Sequence, residues 1–573
     1  MERTMKLNAQ TIREEVDQRI AELESEIRAL KTHRNLVADT SLLPPEILSN
    51  IFIALRRIVA NGYSYRSSWV RVTHVCRHWR AVALDCPALW SDLLFVNPKG
   101  TEVMLQRAKN APLTVKFAAY PATFNDILCK IASQTGRLRE VELRSGSNTT
   151  LELPIILSCF ESTAPILEKL VLQGVEIYYR TGSDKYHTLP ADFLRGGAPS
   201  LRHLDVTRFA IHWDALPLST TLTHLRLENV VLENRPTQAS FLKSLTSLLR
   251  LETMILKACL PRSGDALHLG SLPITLPSLR ILELQDFAAE LRQFFTATQI
   301  PNKARVDIEL SDGNPELESL GSLLSALRTS WIHSKDMDLD AGSNSIQSGI
   351  LDLRIVDAMM RYVPRIMCWF SNHDLPPNFG VENPPANLVV SLASGSAMGI
   401  NLVLSAIAAR LDISSLQSLK IASNYILVTN ELLALFKDLT KLDKIAVWKS
   451  YDTLSKFFKT LKKKHEHAPS FPALHSIDLH GIDFDEDRTG DSIKAVLPLI
   501  FALKSREKSH PTIKQFTMTQ CINFLEDHWE ALCEVLPEET EKYWDEVEDI
   551  VEQSDDDEED DDGSELGHLG LYY

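Results

Sequence analysis

The residues best suited to chemistry are two histidines and a cysteine in one short segment, His74, Cys76 and His78. His74 and His78 lie one helical turn apart, a spacing that could begin a zinc site. No second pair of ligands occurs at a matching spacing, and the eight cysteines of the chain include no CxxC pair. The sequence therefore predicts no metal site, no disulfide framework and reduced thiols.

Other signatures of catalysis are missing from the sequence as well. The chain has no glycine loop that could cradle a phosphate, no nucleophile elbow and no HExxH motif. The histidines of His465-Glu466-His467 follow a run of lysines, which is typical of a polar helix end. We therefore expect a protein that is not an enzyme and needs no cofactor.

The acidic character of the chain is concentrated at its C-terminus. The formal net charge is −16, but residues 534–573 alone contain eighteen acidic residues and one lysine. The rest of the chain is nearly neutral, so a strongly basic surface for nucleic acid is not expected. Residues 554–562 repel one another and include no apolar residue, which predicts a disordered tail. This tail would be either a solubilising end or a dock for a basic protein.

Membrane targeting is not predicted either. Residues 1–6 lead into polar helix instead of an apolar core, so we expect no secretory signal. The uncharged window at 383–409 is interrupted by prolines and polar residues. We interpret it as a buried strand, a loop and an apolar helix and not as a membrane span. The expected location is cytoplasmic and/or nuclear.

The clearest structural element is the segment 43–94. Leu43-Pro44-Pro45-Glu46 suits a helix start, because proline fits the first turn and glutamate fits the positive end of a helix. A first apolar stripe of helical period is formed by Ile47, Leu48, Ile51, Phe52 and Leu55. A second helix, ending near Leu84, is predicted by Trp69, Val72, Val75, Cys76, Trp79 and Ala83, and Pro87 and Trp90 mark a third short turn. Three short helices bury only a marginal core, so the surplus of apolar side chains indicates a partner surface.

This segment resembles an F-box, in particular the F-box-like domains abundant in mushroom-forming fungi. The resemblance rests on Leu43-Pro44-Pro45-Glu46-Ile47-Leu48, Ile51-Phe52, Val72-Thr73-His74-Val75-Cys76-Arg77-His78-Trp79-Arg80 and Cys86-Pro87-Ala88-Leu89-Trp90. In that family the helices dock on a small Skp-family linker, which joins the F-box protein to a cullin-based ubiquitin ligase. The resemblance implies linker contacts at Leu43, Pro44, Ile47, Leu48, Ile51, Val75, Cys76 and Trp79. Trp79 and Trp90 are also expected to pack internally. The alternative is a helical hairpin that caps the next domain.

A heptad-like pattern precedes the F-box-like segment, at residues 10–38. Its apolar positions alternate in spacings of four and three, at Val16, Ile20, Leu23, Ile27, Leu30 and Val37. Arg34 interrupts this stripe, and charged residues such as Glu24 and Arg28 lie between its members. The pattern predicts one helix that either self-associates weakly as a short coiled coil or folds back on its own chain.

One short pattern dominates the chain beyond residue 133: an apolar residue, a second three positions later and a third two positions after that. It occurs at Leu138-Val141-Leu143, Leu167-Leu170-Leu172, Leu201-Leu204-Val206, Leu222-Leu225-Leu227, Leu251-Met254-Leu256, Leu279-Leu282-Leu284, Leu416-Leu419-Ile421, Leu442-Ile445-Val447, Leu474-Ile477-Leu479 and Ile513-Phe516-Met518. Weaker matches between 284 and 416 predict long insertions there. A short strand repeated in this way resembles leucine-rich repeats, in which each strand-plus-helix unit buries its face on the next.

The turns of this solenoid should be irregular. Leucine-rich repeats often carry Asn or Cys three residues after the last strand leucine, where the side chain bonds the backbone of neighbouring turns. Cys259, Asn424 and Cys521 fit that position, whereas Phe209 and Phe287 do not. We therefore expect an uneven curvature.

Side chains between the buried leucines should point to the concave face, because strand residues alternate sides. The candidate substrate contacts on that face are Arg144, His203, His224, Arg226, Glu283, Trp448, Asp478 and His480. Mixed charge with an exposed aromatic residue suits recognition of a protein better than recognition of a polyanion. The alternative is a solvated sheet face with no ligand.

The sequence thus predicts an α/β protein in four parts. These are an N-terminal heptad-like helix at 1–39, a three-helix F-box-like domain at 40–96, an irregular leucine-rich-repeat-like solenoid at 97–533 and a disordered acidic tail at 534–573. The leading hypothesis is a non-catalytic substrate-recognition adaptor of a cullin-based, SCF-type ubiquitin ligase. Its partners would be the Skp-family linker, a cullin through that linker and a protein substrate, with no nucleic acid and no membrane. The alternative is a non-degradative interaction scaffold.

Overall fold

The fold is known from a computed structural model of the 573-residue chain. It describes residues 2–60, 67–118, 122–145, 153–174, 187–229, 234–262, 264, 272–313, 315–332, 349–357, 364–370, 375–376, 378–380, 384–393, 397–423, 429–462, 470–484, 492–507 and 512–547. The chain divides into two units. The first unit comprises Met1–Ser311 and Ser325–Asp340, and the second comprises Asp312–Leu324 and Ala341–Tyr573.

The N-terminal part of the first unit is helical. It contains α1 (Glu2–Leu36), α2 (Pro45–Ala60), α3 (Arg77–Leu84) and α4 (Pro87–Trp90), with 3-10 turns at Asp39–Ser41 and Ser68–His74. The single helix predicted from Trp69 to Leu84 is wrong, because Cys76 adopts an extended conformation (φ −155°, ψ 171°) that separates the 3-10 turn from α3. The Cys76 Sγ accepts a hydrogen bond from the Trp79 N–H at 3.4 Å, so Cys76 caps the start of α3.

A mostly parallel sheet forms the rest of the first unit. Its strands are β1 (Asp92–Leu93), β2 (Leu113–Ala118), β3 (Leu138–Arg144), β4 (Lys169–Gln173), β5 (His187–Thr188), β6 (His203–Ala210), β7 (His224–Asn229), β8 (Thr253–Lys257), β10 (Ile281–Asp286) and β12 (Arg305–Leu310), while β9 (Ile274–Thr275) and β11 (Thr298–Gln299) form a separate pair. The strands follow the order β1-β2-β3-β4-β6-β7-β8-β10-β12, and β5 pairs with the end of β6.

Helices connect most of these strands. They are α5 (Pro98–Arg107), α6 (Asn125–Ala132), α7 (Leu153–Ser158), α8 (Gln238–Leu245) and α9 (Ala288–Ala297). Residues 317–324 of the next helix, α10 (Leu317–Leu327), belong to the second unit, and a π-helical turn follows at Arg328–Ile332. Their starts follow from local sequence. Asn97 Oδ1 accepts the Gly100 N–H at 2.7 Å, and Pro98 occupies the first turn of α5, where its missing N–H costs nothing.

The repeated apolar pattern forms two continuous columns in the core of the first unit. One column aligns Val141, Leu170, Leu204, Leu225, Met254, Leu282 and Val306, and the other aligns Leu143, Leu172, Val206, Leu227, Leu256, Leu284 and Ile308. Every member is buried. Burying one such side chain stabilises the fold by roughly 1.5–3 kcal/mol, so the columns are a main source of cohesion between neighbouring strands.

The second unit also contains a series of paired strands. Its strands are β13 (Asp352–Asp357), β14 (Pro364–Trp369), β15 (Leu388–Leu392), β16 (Ser418–Ala422), β17 (Lys444–Trp448), β18 (Ser476–His480), β19 (Gln515–Thr519) and β20 (Glu541–Trp544). The order is β15-β14-β13-β16-β17-β18-β19-β20, with β14 antiparallel to β13 and β15 and the other pairs parallel. Its helices are α11 (Ala397–Arg410), α12 (Asn430–Phe436), α13 (Tyr451–Lys462), α14 (Ser492–Glu507) and α15 (Glu526–Cys533).

These mostly parallel strands and the helices that connect them confirm the α/β class predicted from the sequence. The strand and the apolar helix expected in the window at 383–409 are β15 and α11. None of the helices among the described residues is long and apolar enough to span a membrane. The antiparallel pairing of β14 was not predicted, since its sequence carries no copy of the repeated pattern.

The predicted boundary of the acidic tail at residue 534 is wrong. Residues 541–544 form β20, and Glu541 N–H donates to the Lys514 carbonyl at 2.8 Å. Trp544 packs against Phe524 and Trp529, with ring centroids 5.6 and 5.9 Å apart. The acidic segment 554–562, Asn424 and His465-Glu466-His467 lie outside the described residues.

Candidate functional site

An apolar stripe on α2 is the most conspicuous exposed surface of the helical region. Ile47, Ile51, Leu55 and Ile58 are 46, 45, 38 and 72 % exposed. Their offsets of four, four and three residues place them along one side of the helix. The opposite side contributes Leu48 and Phe52 to the interior. The helix therefore presents an apolar surface outward while its other face anchors it.

A buried arginine fixes α2 to the following helices. Arg56 donates to the carbonyls of Leu89, at 2.5 Å, and Asp92, and its Nη2 lies 2.9 Å from Asp92 Oδ2. Burial lowers the pKa of Arg56, although the Asp92 carboxylate opposes that effect. The Arg56 guanidinium also lies 5.2 Å from the centroid of the Trp69 ring. A buried charge held by this many partners sets the position of α2 closely.

Aromatic side chains fill the interior behind that arginine. Trp69 and Trp90 meet edge to face with centroids 5.2 Å apart, and the Trp90 indole N–H donates to the Ala83 carbonyl at 2.7 Å. Phe52 packs on Trp79 at 5.1 Å. Trp79 and Trp90 therefore have the internal packing role expected from the sequence.

The predicted linker contacts divide into three groups by exposure. Pro44, Ile47, Ile51 and Val75 are exposed, and Leu43, Cys76 and Trp79 are half-buried. Leu48 is only 1 % exposed. Its side chain faces the interior beside Phe52, so the prediction that Leu48 contacts the linker is not carried forward. The sequence alone could not separate Leu48 from Ile47, since both fall within a broad apolar stripe.

The histidines around the start of α3 are not arranged as their spacing suggested. His74 lies in the 3-10 turn and His78 in α3, on either side of the extended Cys76, so they do not share one helix face as the spacing suggested. Among the described residues, no group of three or more His, Cys, Asp or Glu side chains is arranged to hold a metal ion.

The N-terminal helix α1 exposes its heptad stripe. Val16, Ile20, Leu23, Ile27 and Leu30 are all between 43 and 64 % exposed. The alternative in which this helix folds back on its own chain is therefore contradicted within the part of the chain that the structure describes. The C-terminal end of α1 lines a cleft of about 200 Å³ together with residues near the start of α3, among them Arg28, Lys31, Cys76 and Arg77.

The strand face of the first unit carries five of the predicted substrate contacts, and one of them, Arg144, lies in a charged cluster around Glu142. Glu142 lies 2.7 Å from Lys169 Nζ, 3.6 Å from Arg144 Nη2 and 3.8 Å from Lys116 Nζ. Burial alone would raise the pKa of Glu142, but these cations together hold it below its ordinary value. The carboxylate is thus neutralised by its own neighbours on β2, β3 and β4.

Two predicted contacts, His203 and His224, stack on each other on adjacent strands. Their ring centroids are 4.1 Å apart and the planes differ by 1°. Burial lowers the pKa of His203 to about 4, and the nearby His224 and Lys169 add to the effect. Burial likewise lowers the pKa of His224. Both rings are therefore neutral near pH 7 and form a flat aromatic surface on β6 and β7.

The next row of the same face contains Asp205, Arg226 and Glu283. Asp205 and Arg226 are cross-strand neighbours, and Glu283 lies two strands further along on β10. Burial raises the pKa of Asp205 in spite of Arg226. Asp205 Oδ1 and Arg226 Nε are buried and accept or donate no hydrogen bond. This row therefore has hydrogen-bonding capacity that its own side chains do not use.

The strand face of the second unit brings Trp448, Asp478 and His480 together. The Trp448 indole N–H donates to Asp478 Oδ1 at 2.9 Å, and the ring centroids of Trp448 and His480 are 4.4 Å apart. His480 Nδ1 and Thr519 Oγ1 are 2.8 Å apart. Burial raises the pKa of Asp478 and lowers the pKa of His480.

Sequence reasoning missed a covering segment on this face. This covering segment consists of Leu375, Pro376, Asn378 and Phe379, which lie between β14 and β15 and line a groove with residues of the strands. Lys420 Nζ donates to the Phe379 carbonyl at 2.8 Å and lies 3.4 Å from the centroid of the Trp448 ring. Arg354 donates to Phe379 O and Asn378 O at 3.3 and 3.1 Å. The sequence signal for this segment is an arginine and a lysine at strand positions, Arg354 and Lys420. Charged residues on a strand are usually solvated, so these two alone do not predict that a segment covers them.

Comparison with known families identifies only the helical part. Residues 40–96 match the family model described as F-box-like, which is about a tenth of the chain. The F-box-like domain predicted from the motifs is thereby confirmed. Domains of this kind typically bind a Skp-family linker and generally belong to non-catalytic adaptors. No curated protein matches the chain.

Proposed function

We propose that the protein is a substrate-recognition adaptor of a cullin-based, SCF-type ubiquitin ligase in the cytoplasm and/or nucleus. The F-box-like domain binds the Skp-family linker, and the linker binds a cullin. The two strand-and-helix units form leucine-rich-repeat-like solenoid structure that binds a protein substrate. The protein performs no bond chemistry itself, because its role is to raise the local concentration of substrate lysines near the ubiquitin-charged enzyme.

The observation that carries this proposal is the exposed stripe of α2 within the matched domain. Ile47 and Ile51 stay nearly half exposed, although Arg56 and the tryptophans hold the rest of the domain firmly together. Covering one such side chain contributes up to roughly 1.5–3 kcal/mol. A rigid helix with an uncovered apolar stripe is the kind of surface on which a partner helix docks.

The test is co-purification of the full chain with the Skp-family linker. We expect the wild-type chain to bind and the variants Ile47→Lys and Ile51→Lys to lose most of the linker, since each places a charge on the docking stripe. Ile155→Lys is the matched control, because Ile155 is an equally exposed isoleucine on α7. Circular dichroism checks that every variant keeps its helices. A folded wild-type chain that captures no linker would overturn the proposal.

The alternative is a scaffold that assembles proteins without directing their degradation. It differs from the adaptor in one measurable respect, which is the presence of a neddylated cullin in the purified complex. We expect the cullin to be retained with wild type and lost with Ile47→Lys. Linker without cullin would favour the scaffold.

We further propose that the protein self-associates weakly through α1. Ile20 and Ile27 alternate with Leu23 and Leu30 in the exposed stripe, and this order of isoleucine and leucine favours a two-stranded parallel coiled coil. Arg19 lies five residues before Glu24, and Glu26 lies five residues before Lys31. Residues at this spacing flank the apolar seam of a parallel coiled coil, so each pair places opposite charges on the two facing helices. Arg34 interrupts the stripe and keeps the association weak.

Sedimentation equilibrium of the full chain tests this second proposal. We expect the mass to approach that of a dimer as the protein concentration rises, and Ile20→Lys combined with Ile27→Lys to keep the chain monomeric. Ser25→Lys is the control, because Ser25 is exposed and lies outside the apolar stripe. Identical masses for wild type and the double variant would rule the coiled coil out.

A further inference from the structure

A groove on the strand face of the second unit has the form of a binding site. It encloses a cavity of about 240 Å³. Its floor includes Ser418, Ser476 and Thr517 on β16, β18 and β19. Its wall includes Pro376 and Phe379 from the covering segment. The groove therefore combines an apolar wall with a polar floor, which is the usual composition of a site that orients a ligand.

The wall of this groove is fixed by buried cations. The Arg354 side chain is 1 % exposed, lies 3.0 Å from Asp352 Oδ2 and donates to two carbonyls of the covering segment. Lys420 is buried as well and donates to the same Phe379 carbonyl. The N–H groups of Arg354 and Lys420 are used by these internal partners, so both side chains hold the wall. The positive charge of Lys420 also lowers the pKa of Asp478, although less than burial raises it.

Two carboxylates of the groove are poorly stabilised by the protein around them. Asp443 Oδ1 is buried and accepts no hydrogen bond. Burial raises the pKa of Asp443 although Lys444 opposes it, and burial raises the pKa of Asp478 although Trp448 donates to it. Both carboxylates are therefore less well stabilised in their ionised form than they would be in water. A ligand that carries N–H donors and a positive charge would restore that stabilisation.

We propose that the groove binds a basic side chain, arginine or lysine, of a protein segment, with its charged end accepted by Asp443 and Asp478 and its aliphatic stem against Phe379 and Pro376. This inference rests on the proposed function and names the class of substrate that the adaptor recognises. Lys444 also lines the groove, but its side chain is exposed and free to turn toward solvent. Among the fixed groups, the three carboxylates of Asp352, Asp443 and Asp478 outnumber the two cations, Arg354 and Lys420, so the site favours a cation.

Saturation-transfer NMR with the full chain tests the proposal without any variant. The probes are the N-acetyl methylamides of arginine, lysine, citrulline and glutamate. Citrulline has the shape of arginine without its charge. We expect saturable binding of the arginine and lysine probes and binding at least about tenfold weaker for citrulline. Equal binding of arginine and citrulline, or preferred binding of glutamate, would overturn the proposal.

Two neutral isosteres then place the binding in this groove. Asp443→Asn and Asp478→Asn remove one charge each, and the asparagine at 478 still offers an oxygen to the Trp448 indole. We expect each to weaken the arginine probe at least about tenfold, while Asp438→Asn, an exposed residue that follows α12, leaves it unchanged. Arginine binding that survives both groove variants would exclude this site.

The same variants separate this inference from the adaptor hypothesis. Asp443→Asn and Asp478→Asn lie far along the chain from α2 and should retain the Skp-family linker as wild type does. Failure of the arginine probe with the linker still bound would remove the basic-substrate inference alone. Failure of the linker to bind wild type would remove the adaptor hypothesis, whatever the groove binds.

Discussion

The strand faces of the two units carry similar residue types but use their charges in different ways. On the first face, Glu142 is surrounded by Lys169, Lys116 and Arg144, which hold its pKa below the ordinary value. On the second face, the cations Arg354 and Lys420 bond the backbone of the covering segment instead. Asp478 is left with a raised pKa because burial outweighs its neighbours.

This difference accompanies two antiparallel pairings that occur in the second unit. The antiparallel strands β14 and β15 carry between them the segment that covers Lys420 and Arg354. A charge under a cover loses water and needs a fixed partner or a ligand. Asp205 on the first face resembles Asp478, since burial raises its pKa too. One strand pattern can thus give a carboxylate that its neighbours neutralise, as at Glu142, or a carboxylate whose pKa burial raises, as at Asp205 and Asp478.

The largest effect that would test this comparison is the loss of Arg354. Arg354→Met leaves Asp352 buried without its partner, which should lower the free energy of unfolding by about 3–5 kcal/mol. Arg144→Met on the first face should cost under about 1 kcal/mol, because Arg144 is half exposed. Urea unfolding followed by tryptophan fluorescence measures both.

A second substitution checks the cause of that loss. Combining Arg354→Met with Asp352→Leu removes both buried charges and should recover much of the stability. Equal losses for Arg354→Met and Arg144→Met would show that the two faces do not differ in the way described.

The cores beneath the two faces should respond alike. Leu227→Ala on β7 and Leu479→Ala on β18 each create a cavity at a fully buried column position, so each should lower the free energy of unfolding by about 2–5 kcal/mol. Leu272→Ala is the control, since Leu272 is almost fully exposed, and should change stability by about 0.5 kcal/mol or less. Urea midpoints compare the three variants. If Leu479→Ala left the free energy of unfolding unchanged while Leu227→Ala lowered it, the second unit would lack an equivalent core.

The smallest predicted effect is on the stability of the protein at acidic pH. The folded pKa of His203, about 4, lies below its ordinary value of 6.5, so the unfolded chain binds more protons between these two values. The stability contributed by the neutral ring is complete above pH 6.5 and is lost as the pH falls toward 4. His203→Gln should therefore lose less stability than wild type over that range, as thermal unfolding at several pH values would show.

The control for the acid experiment is a histidine outside the stacked pair. His212→Gln alters an exposed residue of the same unit and should leave the acid response of wild type in place. If His203→Gln and His212→Gln behaved identically, the stacked pair would not be the source of the acid sensitivity.

The sequence allowed the parts of the fold that depend on local patterns to be predicted. The copies of the apolar pattern became strands because alternation and spacing are properties of a few adjacent residues. Leu138-Val141-Leu143 and Leu474-Ile477-Leu479, for example, fall in β3 and at β18 as expected. The F-box-like domain was predicted for the same reason, since its motifs lie within one short segment.

The parts that were missed depend on context that periodicity does not report. Helical spacing continues through Cys76, yet an extended residue there divides the expected helix. The net charge of residues 534–573 is strongly negative, and this charge alone predicts disorder. It does not reflect Tyr543 and Trp544, which belong to β20. The groove at Asp443 and Asp478 needs a segment from between β14 and β15, which no pattern near those residues announces.

The aligned columns of the first unit have a consequence for how such a chain can change in length. His203 and His224 begin neighbouring strands and lie 21 residues apart in the sequence. Ser476 and Gln515 also begin neighbouring strands but lie 39 residues apart. In both cases the first residues of the two strands are directly paired. The strands therefore tolerate connections of very different length. Insertions and deletions during evolution should accumulate between the strands, and the number of residues inside each strand should stay constant. The surface offered to a partner can then diversify while the columns beneath it are preserved.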